Sequence, residues 1–153
     1  MAAFFCDSSA IVKRYIAETG SAWLSATISP AGGNVVYVAR ITFVEVISAI
    51  TRREKGSHIS AADADNARLT FEQDYLNEFF KVEISENLIT EAANLAKKYA
   101  LRGYDAVQLA AALETEKERV ALGLSSLTLL SADTDLNAAA VNEGLTVDNP
   151  NNH

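Results

Sequence analysis

The stretch that decides the fold is Ala2-Ala3-Phe4-Phe5-Cys6-Asp7-Ser8-Ser9, at residues 2–9. Its apolar run from Ala2 to Cys6 has the length of a buried strand, and Asp7-Ser8-Ser9 supplies the residue types that cap the start of a helix. A strand that turns directly into a helix is the repeating unit of α/β proteins. The sequence therefore predicts an α/β fold whose first strand ends at Cys6, directly before Asp7.

The same alternation of strands and helices continues along the chain. Val35–Val38 and Leu127–Leu130 are predicted as buried strands, Phe80–Ile84 as an edge strand and Leu145–Val147 as a last short strand. Helices are predicted between them, at 8–19, 21–28, 42–55, 61–79, 86–100, 103–119 and from 134 onward. Strands that alternate with helices indicate a mostly parallel sheet of about five strands, covered on both faces.

Composition limits the class of protein. The chain has 153 residues, 49% of them hydrophobic, and shows neither an internal repeat nor a break in composition. We therefore expect one domain over residues 1–148, followed by a polar tail at 149–153. The single cysteine, Cys6, excludes a disulfide framework and a cysteine-based zinc site.

Charge and hydropathy bear on location and partners. No signal peptide or membrane segment is predicted, because Asp7 interrupts the first apolar run and the late uncharged stretch 120–132 is too short to span a bilayer. Cytoplasmic residence is the expectation. The net charge of −7 gives no overall attraction for polyphosphate. A site that recruits divalent cations would reverse the local sign of that charge.

Four widely separated positions carry carboxylates that a solvated surface does not explain. Asp7 follows the first strand, Asp133 follows the fourth, and Glu45 and Asp105 are lone charges within apolar helical stretches. Ligands of doubly wound sheets bind outside the carboxyl ends of the strands. Carboxylates gathered there need protons or cations, and hard oxygen ligands select Mg²⁺ or Mn²⁺. The pattern indicates metal-assisted phosphoryl-transfer chemistry.

Each of these acids also has a simpler explanation. Asp7 and Asp133 can act only as helix caps, since Asp is a preferred capping residue. Glu45 or Asp105 can pair with Arg102 or Arg40.

Four segments resemble the successive motifs of PIN-domain proteins, and most closely those of the VapC toxins of bacterial toxin-antitoxin pairs. They are Phe5-Cys6-Asp7-Ser8-Ser9-Ala10-Ile11-Val12-Lys13, Thr42-Phe43-Val44-Glu45, Leu101-Arg102-Gly103-Tyr104-Asp105-Ala106-Val107-Gln108-Leu109-Ala110 and Leu130-Ser131-Ala132-Asp133-Thr134-Asp135-Leu136. The resemblance implies a three-layer α/β/α sandwich and a Mg²⁺- or Mn²⁺-dependent endoribonuclease. It also implies a homodimer and a small antitoxin protein that neutralises the enzyme.

The resemblance further assigns the site. The acidic positions of the family fall on Asp7, Glu45, Asp105 and Asp133. By this interpretation Asp7, Asp105 and Asp133 hold the metal directly or through water, and Glu45 completes the shell or orients the attacking water. Accessory positions are Ser8, Ser131 and Asp135.

Six cations are candidates for contacts with RNA phosphates. A solvated helix face explains most of them, since exposed Lys and Arg are common. Arg102 is assigned as a phosphate contact because it lies one turn before Asp105. The other five are Lys13, Arg14, Arg40, Arg52 and Arg53.

Two other functions remain open. One is a non-catalytic interaction module that keeps its acids for capping or solubility. The other is an aspartate-based phosphatase or phospho-acceptor with Asp7 as nucleophile. The second is less well matched, because Ser9 and the stretch 148–150 stand where those classes require an Asp and a Lys.

Overall fold

A computed structural model describes all residues of the chain, 1–153, and contains a five-stranded sheet in the order β3-β2-β1-β4-β5. Every neighbouring pair of strands is parallel. The strands are β1 (Ala3–Cys6), β2 (Val35–Ala39), β3 (Phe80–Val82), β4 (Thr128–Leu130) and β5 (Thr146–Asp148). The predicted parallel sheet and the edge position of β3 are confirmed.

Seven helices connect these strands. They are α1 (Ser8–Ile11), α2 (Ser21–Thr27), α3 (Thr42–Lys55), α4 (Ala61–Asn77), α5 (Glu86–Tyr99), α6 (Gly103–Ala121) and α7 (Thr134–Asn142). Three short 3₁₀ turns lie at Val12–Arg14, Pro30–Gly32 and Pro150–Asn152. No helix has both the length and the apolar character that crossing a lipid bilayer requires.

The sheet is the middle of three layers, because successive strand residues point to opposite faces. Phe5 and Leu129 pack in a core with α5, α6 and α7, whereas Cys6 and Leu130 pack in a second core with α1 to α4. Each core contains 17 buried residues, so both faces of the sheet are covered. The predicted α/β/α sandwich is confirmed.

Side-chain caps place several helix starts where the sequence predicts them. Ser60 accepts a hydrogen bond from the Asp63 amide at the start of α4, and Ser85 accepts one from the Leu88 amide at the start of α5. Such caps satisfy backbone donors that have no partner within the helix. The predicted bounds of α3 agree with the structure at both ends.

The first helix is shorter than predicted. The sequence predicts a helix to residue 19, but the α-helix ends at Ile11 and a 3₁₀ turn ends at Arg14. Lys13 is turned inward, where its ammonium donates to the Thr19 carbonyl at 2.9 Å and pairs with Glu18 at 3.2 Å. These contacts fold residues 15–20 back as a loop.

The end of the described chain packs against α2. Gly20 has a φ of +83°, and a Cβ atom there would lie 2.1 Å from the Pro150 carbonyl oxygen. Pro150 is buried, and the His153 ring stacks on Trp23 with 4.0 Å between ring centroids. The predicted polar tail thus forms a 3₁₀ turn against the fold. One domain over residues 1–148 stays a prediction.

Candidate functional site

The carboxyl ends of β1 and β4 form the floor of the site. Cys6 and Leu130 are partners in the sheet, and the Asp7 amide donates to the Leu130 carbonyl at 3.2 Å. The residues that follow each strand, Asp7 and Ser131, therefore lie side by side. The topology brings these two predicted site residues together across 124 positions of sequence.

Asp7 is the most buried of the carboxylates, with 2% of its surface exposed. One carboxylate oxygen, Oδ1, accepts hydrogen bonds from Ser9 Oγ at 2.7 Å and from the Ala10 amide at 3.0 Å. The other, Oδ2, accepts from Ser131 Oγ at 2.9 Å. Asp7 is thus both the cap of α1 and a fixed acid of the site.

Burial raises the pKa of Asp7 to about 7, and the negative charge of Glu45 adds to this rise. The bonds from Ser9, Ala10 and Ser131 oppose it, because they stabilise the charged form. Since burial is the larger effect, the ionised carboxylate is less stable here than in water. A nearby cation would relieve that cost.

Glu45 is fixed by side chains from two other elements. Its Oε2 accepts from Ser8 Oγ at 3.0 Å, and its Oε1 accepts from Gln108 Nε2 at 2.7 Å. Gln108 also donates to Thr42 Oγ1 at 2.9 Å. Helices α3 and α6 are therefore joined beneath the carboxylate, and neither Arg102 nor Arg40 pairs with Glu45.

Gln108 is a residue that the sequence reasoning missed. It is 1% exposed, and its Oε1 oxygen has no hydrogen-bond partner. The signal that could have found it is its position three residues after Asp105, as a lone polar side chain in an apolar stretch. Sequence reasoning also missed Ser9 as a site residue. Its hydroxyl donates to Asp7 and accepts a hydrogen bond from the Ala132 amide at 2.9 Å.

Asp105, Asp133 and Asp135 line a second part of the site, a cavity of about 430 Å³. Asp133 is the cap of α7, and its Oδ1 accepts from the Leu136 amide at 2.9 Å. Asp105 is half-buried and accepts no hydrogen bond, while Asp135 is exposed. Burial raises the pKa of Asp105 to about 6, with further contributions from Asp133 and then Glu45.

Arg102 lies beside these acids. It is exposed, immediately precedes α6, and its positive charge opposes the rise in the pKa of Asp105. The other candidate cations are divided between exposed and part-buried positions: Arg40 and Arg52 are exposed, whereas Arg14 and Arg53 are partly buried and Lys13 is buried. Lys13 and Arg53 pair with Glu18, whereas Arg14 pairs with Glu78 and Arg40 with Glu83, and only Arg52 is exposed and unpaired.

The donor set is suited to a hard divalent cation. Every polar side chain around the two strand ends offers oxygen, and the thiol of Cys6 is fully buried with its pKa raised by that burial. No three His, Cys, Asp or Glu side chains are arranged closely enough to surround an ion. Mg²⁺ needs only one or two carboxylates and keeps several waters. Asp105 and Asp133, which share one cavity, meet that requirement.

A sequence model of the PIN domain matches residues 4–142. This chain belongs to the PIN domain family. Ribonucleases VapC45 and VapC49 of Mycobacterium tuberculosis are each 32% identical to it over 109 residues, which make up 71% of this chain and 74% of each relative.

Solved structures agree on the fold. FitAB bound to the IR36 DNA fragment has a TM-score of 0.65 at 19% identity, covering 96% of this chain and 94% of that chain. A toxin-antitoxin complex from Klebsiella pneumoniae has a TM-score of 0.59 at 19% identity, covering 98% of each chain. PIN-domain membership and the fold implied by the sequence resemblance are confirmed.

Proposed function

We propose that this protein is a Mg²⁺- or Mn²⁺-dependent endoribonuclease and the toxin of a toxin-antitoxin pair. The observation that carries the proposal is the set of carboxylates brought together by the ends of β1 and β4 and the start of α6. Burial raises the pKa of Asp7 to about 7 and of Asp105 to about 6, and Asp105 shares a cavity with Asp133. Perturbed acids in one cleft are typical of catalytic sites. The ribonuclease names of the relatives support the same activity.

The proposed metal-binding residues are Asp7, Asp105 and Asp133, directly or through water. A bound divalent cation would polarise the phosphodiester and lower the pKa of water. Ser9 and Ser131 keep Asp7 in one orientation through bonds of 2.7 and 2.9 Å. Asp135 is a further, exposed acid at the rim of the same cavity.

Glu45 is proposed to orient the attacking water or to complete the metal shell. Its carboxylate is tied to Ser8 and to Gln108, so it presents a fixed acceptor to the site. A fixed acceptor loses little freedom when the reacting groups assemble. Arg102, exposed beside Asp105, is proposed to contact an RNA phosphate.

A phosphate-accepting role for Asp7 is disfavoured by its environment. A nucleophile must reach the phosphorus itself, whereas a metal ion can be held through a bridging water. The Asp7 carboxylate is 2% exposed and both of its oxygens already accept hydrogen bonds, which obstructs such a direct attack. The remaining alternative is a non-catalytic interaction module. Such a module would show no saturable response to Mn²⁺.

Partners follow from the same proposal. A ribonuclease toxin must be kept inactive by a small antitoxin, and the similar structure from Klebsiella pneumoniae is a toxin-antitoxin complex. We propose an antitoxin of this kind and a homodimer as the assembly of this chain. Co-expression with the neighbouring small gene should relieve growth arrest and yield a stable complex.

The test of the enzymatic proposal is cleavage of an unpaired RNA by the purified protein. We expect cleavage in Mg²⁺ or Mn²⁺, none in EDTA, and products with 5′-phosphate and 3′-hydroxyl ends. Asp7→Asn and Asp133→Asn should each lose about 1,000-fold or more, which is about 4 kcal/mol of transition-state stabilisation. The controls are Asp63→Asn, an exposed carboxylate in α4, and His58→Ala in an exposed turn.

Contaminating ribonuclease is the main source of error, so the variants are the essential comparison. Cleavage that survives Asp7→Asn, or products that end in 2′,3′-cyclic phosphate, would contradict the proposed chemistry.

A further inference from the structure

A groove of about 660 Å³ runs from the acidic site along α3. One wall is a stripe in which each residue lies three or four positions from another member, which places them on one face of the helix. At 1.5 Å per residue the stripe is about 16 Å long. It consists of Ile41, Val44, Glu45, Ser48 and Arg52.

The groove is positively charged on a negatively charged protein. Four cations and two carboxylates line it, whereas the whole chain carries −7. Lys13 and Arg53 share the carboxylate of Glu18, but Arg52 and Arg102 form no ion pair. Both of these guanidinium groups are therefore available for an external anion.

Tyr104 supplies an aromatic surface at the acidic end of the same groove. Tyr104 directly precedes Asp105 and is 65% exposed, and its hydroxyl forms no hydrogen bond. Val44, which is 66% exposed, lines the groove with it. A large aromatic ring left open to water beside a charged cleft is suited to stacking with a nucleobase.

We propose that this groove binds the unpaired segment of RNA that flanks the cleaved bond, with a base stacked on Tyr104 and a backbone phosphate on Arg52. The proposal rests on the ribonuclease function above and deepens it. Unpaired RNA fits because its bases can turn outward to stack on a protein ring. In a duplex the bases are already stacked on one another, so Tyr104 would have no partner.

A protein helix fits this groove less well. Helices dock through a continuous apolar face. Here Glu45, Ser48 and Arg52 interrupt the stripe on α3 with two charges and a hydroxyl.

The test uses an unpaired oligoribonucleotide that contains 2-aminopurine, whose fluorescence is quenched when it stacks. It is titrated with the protein in EDTA to prevent cleavage. We expect Tyr104→Ala to weaken binding about tenfold and to remove the quenching, since one base stacked on an aromatic ring contributes about that much. Tyr104→Phe should bind within about twofold of the unchanged protein. The matched control is Phe80→Ala, a 59% exposed ring at the start of β3 and outside the groove.

Salt dependence tests the contact at Arg52. Arg52→Ala should reduce the slope of log K against log salt by about 0.7, the value of one phosphate contact on a single strand. Lys117→Ala, an exposed cation that lines a different cavity, should leave the slope unchanged.

Three outcomes are decisive. If Tyr104→Ala binds and quenches like Phe80→Ala while the unchanged protein cleaves RNA, the subsite is wrong and the ribonuclease proposal stands. If Tyr104→Ala alone loses quenching but no form of the protein cleaves RNA, the subsite stands and the ribonuclease proposal fails. If Tyr104→Ala leaves RNA binding intact but prevents neutralisation by the antitoxin, the groove is a protein interface and the RNA subsite is overturned.

Discussion

Replacing Asp7 by Asn removes a buried charge and keeps the shape of the side chain. The amide oxygen can accept the bonds from Ser9 Oγ and the Ala10 amide that now reach Oδ1 at 2.7 and 3.0 Å. The amide nitrogen can donate to Ser131 Oγ, which already accepts from the Asp133 amide at 3.1 Å. A hydroxyl oxygen has two lone pairs and can accept both bonds. We therefore expect Asp7→Asn to fold.

The size of the effect follows from the pKa of Asp7. Folding raises this pKa from 3.8 to about 7. At 1.36 kcal/mol for each pKa unit, the ionised carboxylate costs the folded state about 4 kcal/mol above pH 7. Below about pH 4 the carboxyl is protonated in both states and the cost vanishes, so it grows as pH rises between these two values. Asn is neutral at every pH and avoids it.

The measurement is urea unfolding of the two proteins in EDTA at pH 5 and pH 8. We expect Asp7→Asn to be more stable by about 3 kcal/mol at pH 8, and this gain should be clearly smaller at pH 5. In thermal unfolding at pH 8 the same gain corresponds to a Tm higher by about 6–12 °C. Asp63→Asn, in which the replaced carboxylate is exposed, is the control. A variant less stable at pH 8, or a difference that is the same at both pH values, would refute the reasoning.

Three further changes test other parts of the molecule. Asp105→Asn should leave the Tm in EDTA unchanged or higher, because like charges surround this carboxyl. The variant should also lose much of the stabilisation by Mn²⁺, which is about 2.7 kcal/mol at a hundredfold excess over Kd. A large loss of Tm in EDTA would instead mark Asp105 as a structural residue. Gly20→Ala should destabilise the fold by about 2 kcal/mol or more in urea unfolding, because its Cβ would lie 2.1 Å from the Pro150 carbonyl oxygen; unchanged stability would show that this contact is dispensable. Gln108→Leu should lower kcat about 10- to 100-fold at nearly constant KM and shift the pH profile, since it removes the 2.7 Å bond to Glu45; an unaltered pH profile with reduced stability would show a purely structural role.

Local signals account for most of the fold that the sequence predicts. Helix α3 begins at Thr42 and ends at Lys55 as expected, because an apolar period and a following glycine mark its bounds. The break after Arg14 could not be predicted, because it depends on tertiary contacts. Lys13 turns inward to Glu18 and the Thr19 carbonyl, and Gly20 packs against Pro150, a contact that no local pattern reveals.

The candidate site is likewise predicted in part from local sequence signals, while the rest depends on tertiary packing. The sequence places Asp7 and Asp133 directly after strands, so their position at the carboxyl end of the sheet follows from topology. The link between Glu45 and Gln108 depends on how α3 and α6 pack, and helix packing is not encoded in spacing along one helix. Sequence reasoning therefore found the acids and missed the amide that orients one of them.

The position of β1 at the centre of the sheet has a consequence for synthesis on the ribosome. This strand is translated early, yet β4, one of its two neighbours, begins only at Thr128. Asp7 meets Ser131 only after 124 further residues have been added. Contacts so distant in sequence form late and slow folding. The nascent chain therefore has no complete site until Ser131 has been added, and any ribonuclease activity would begin only after that point.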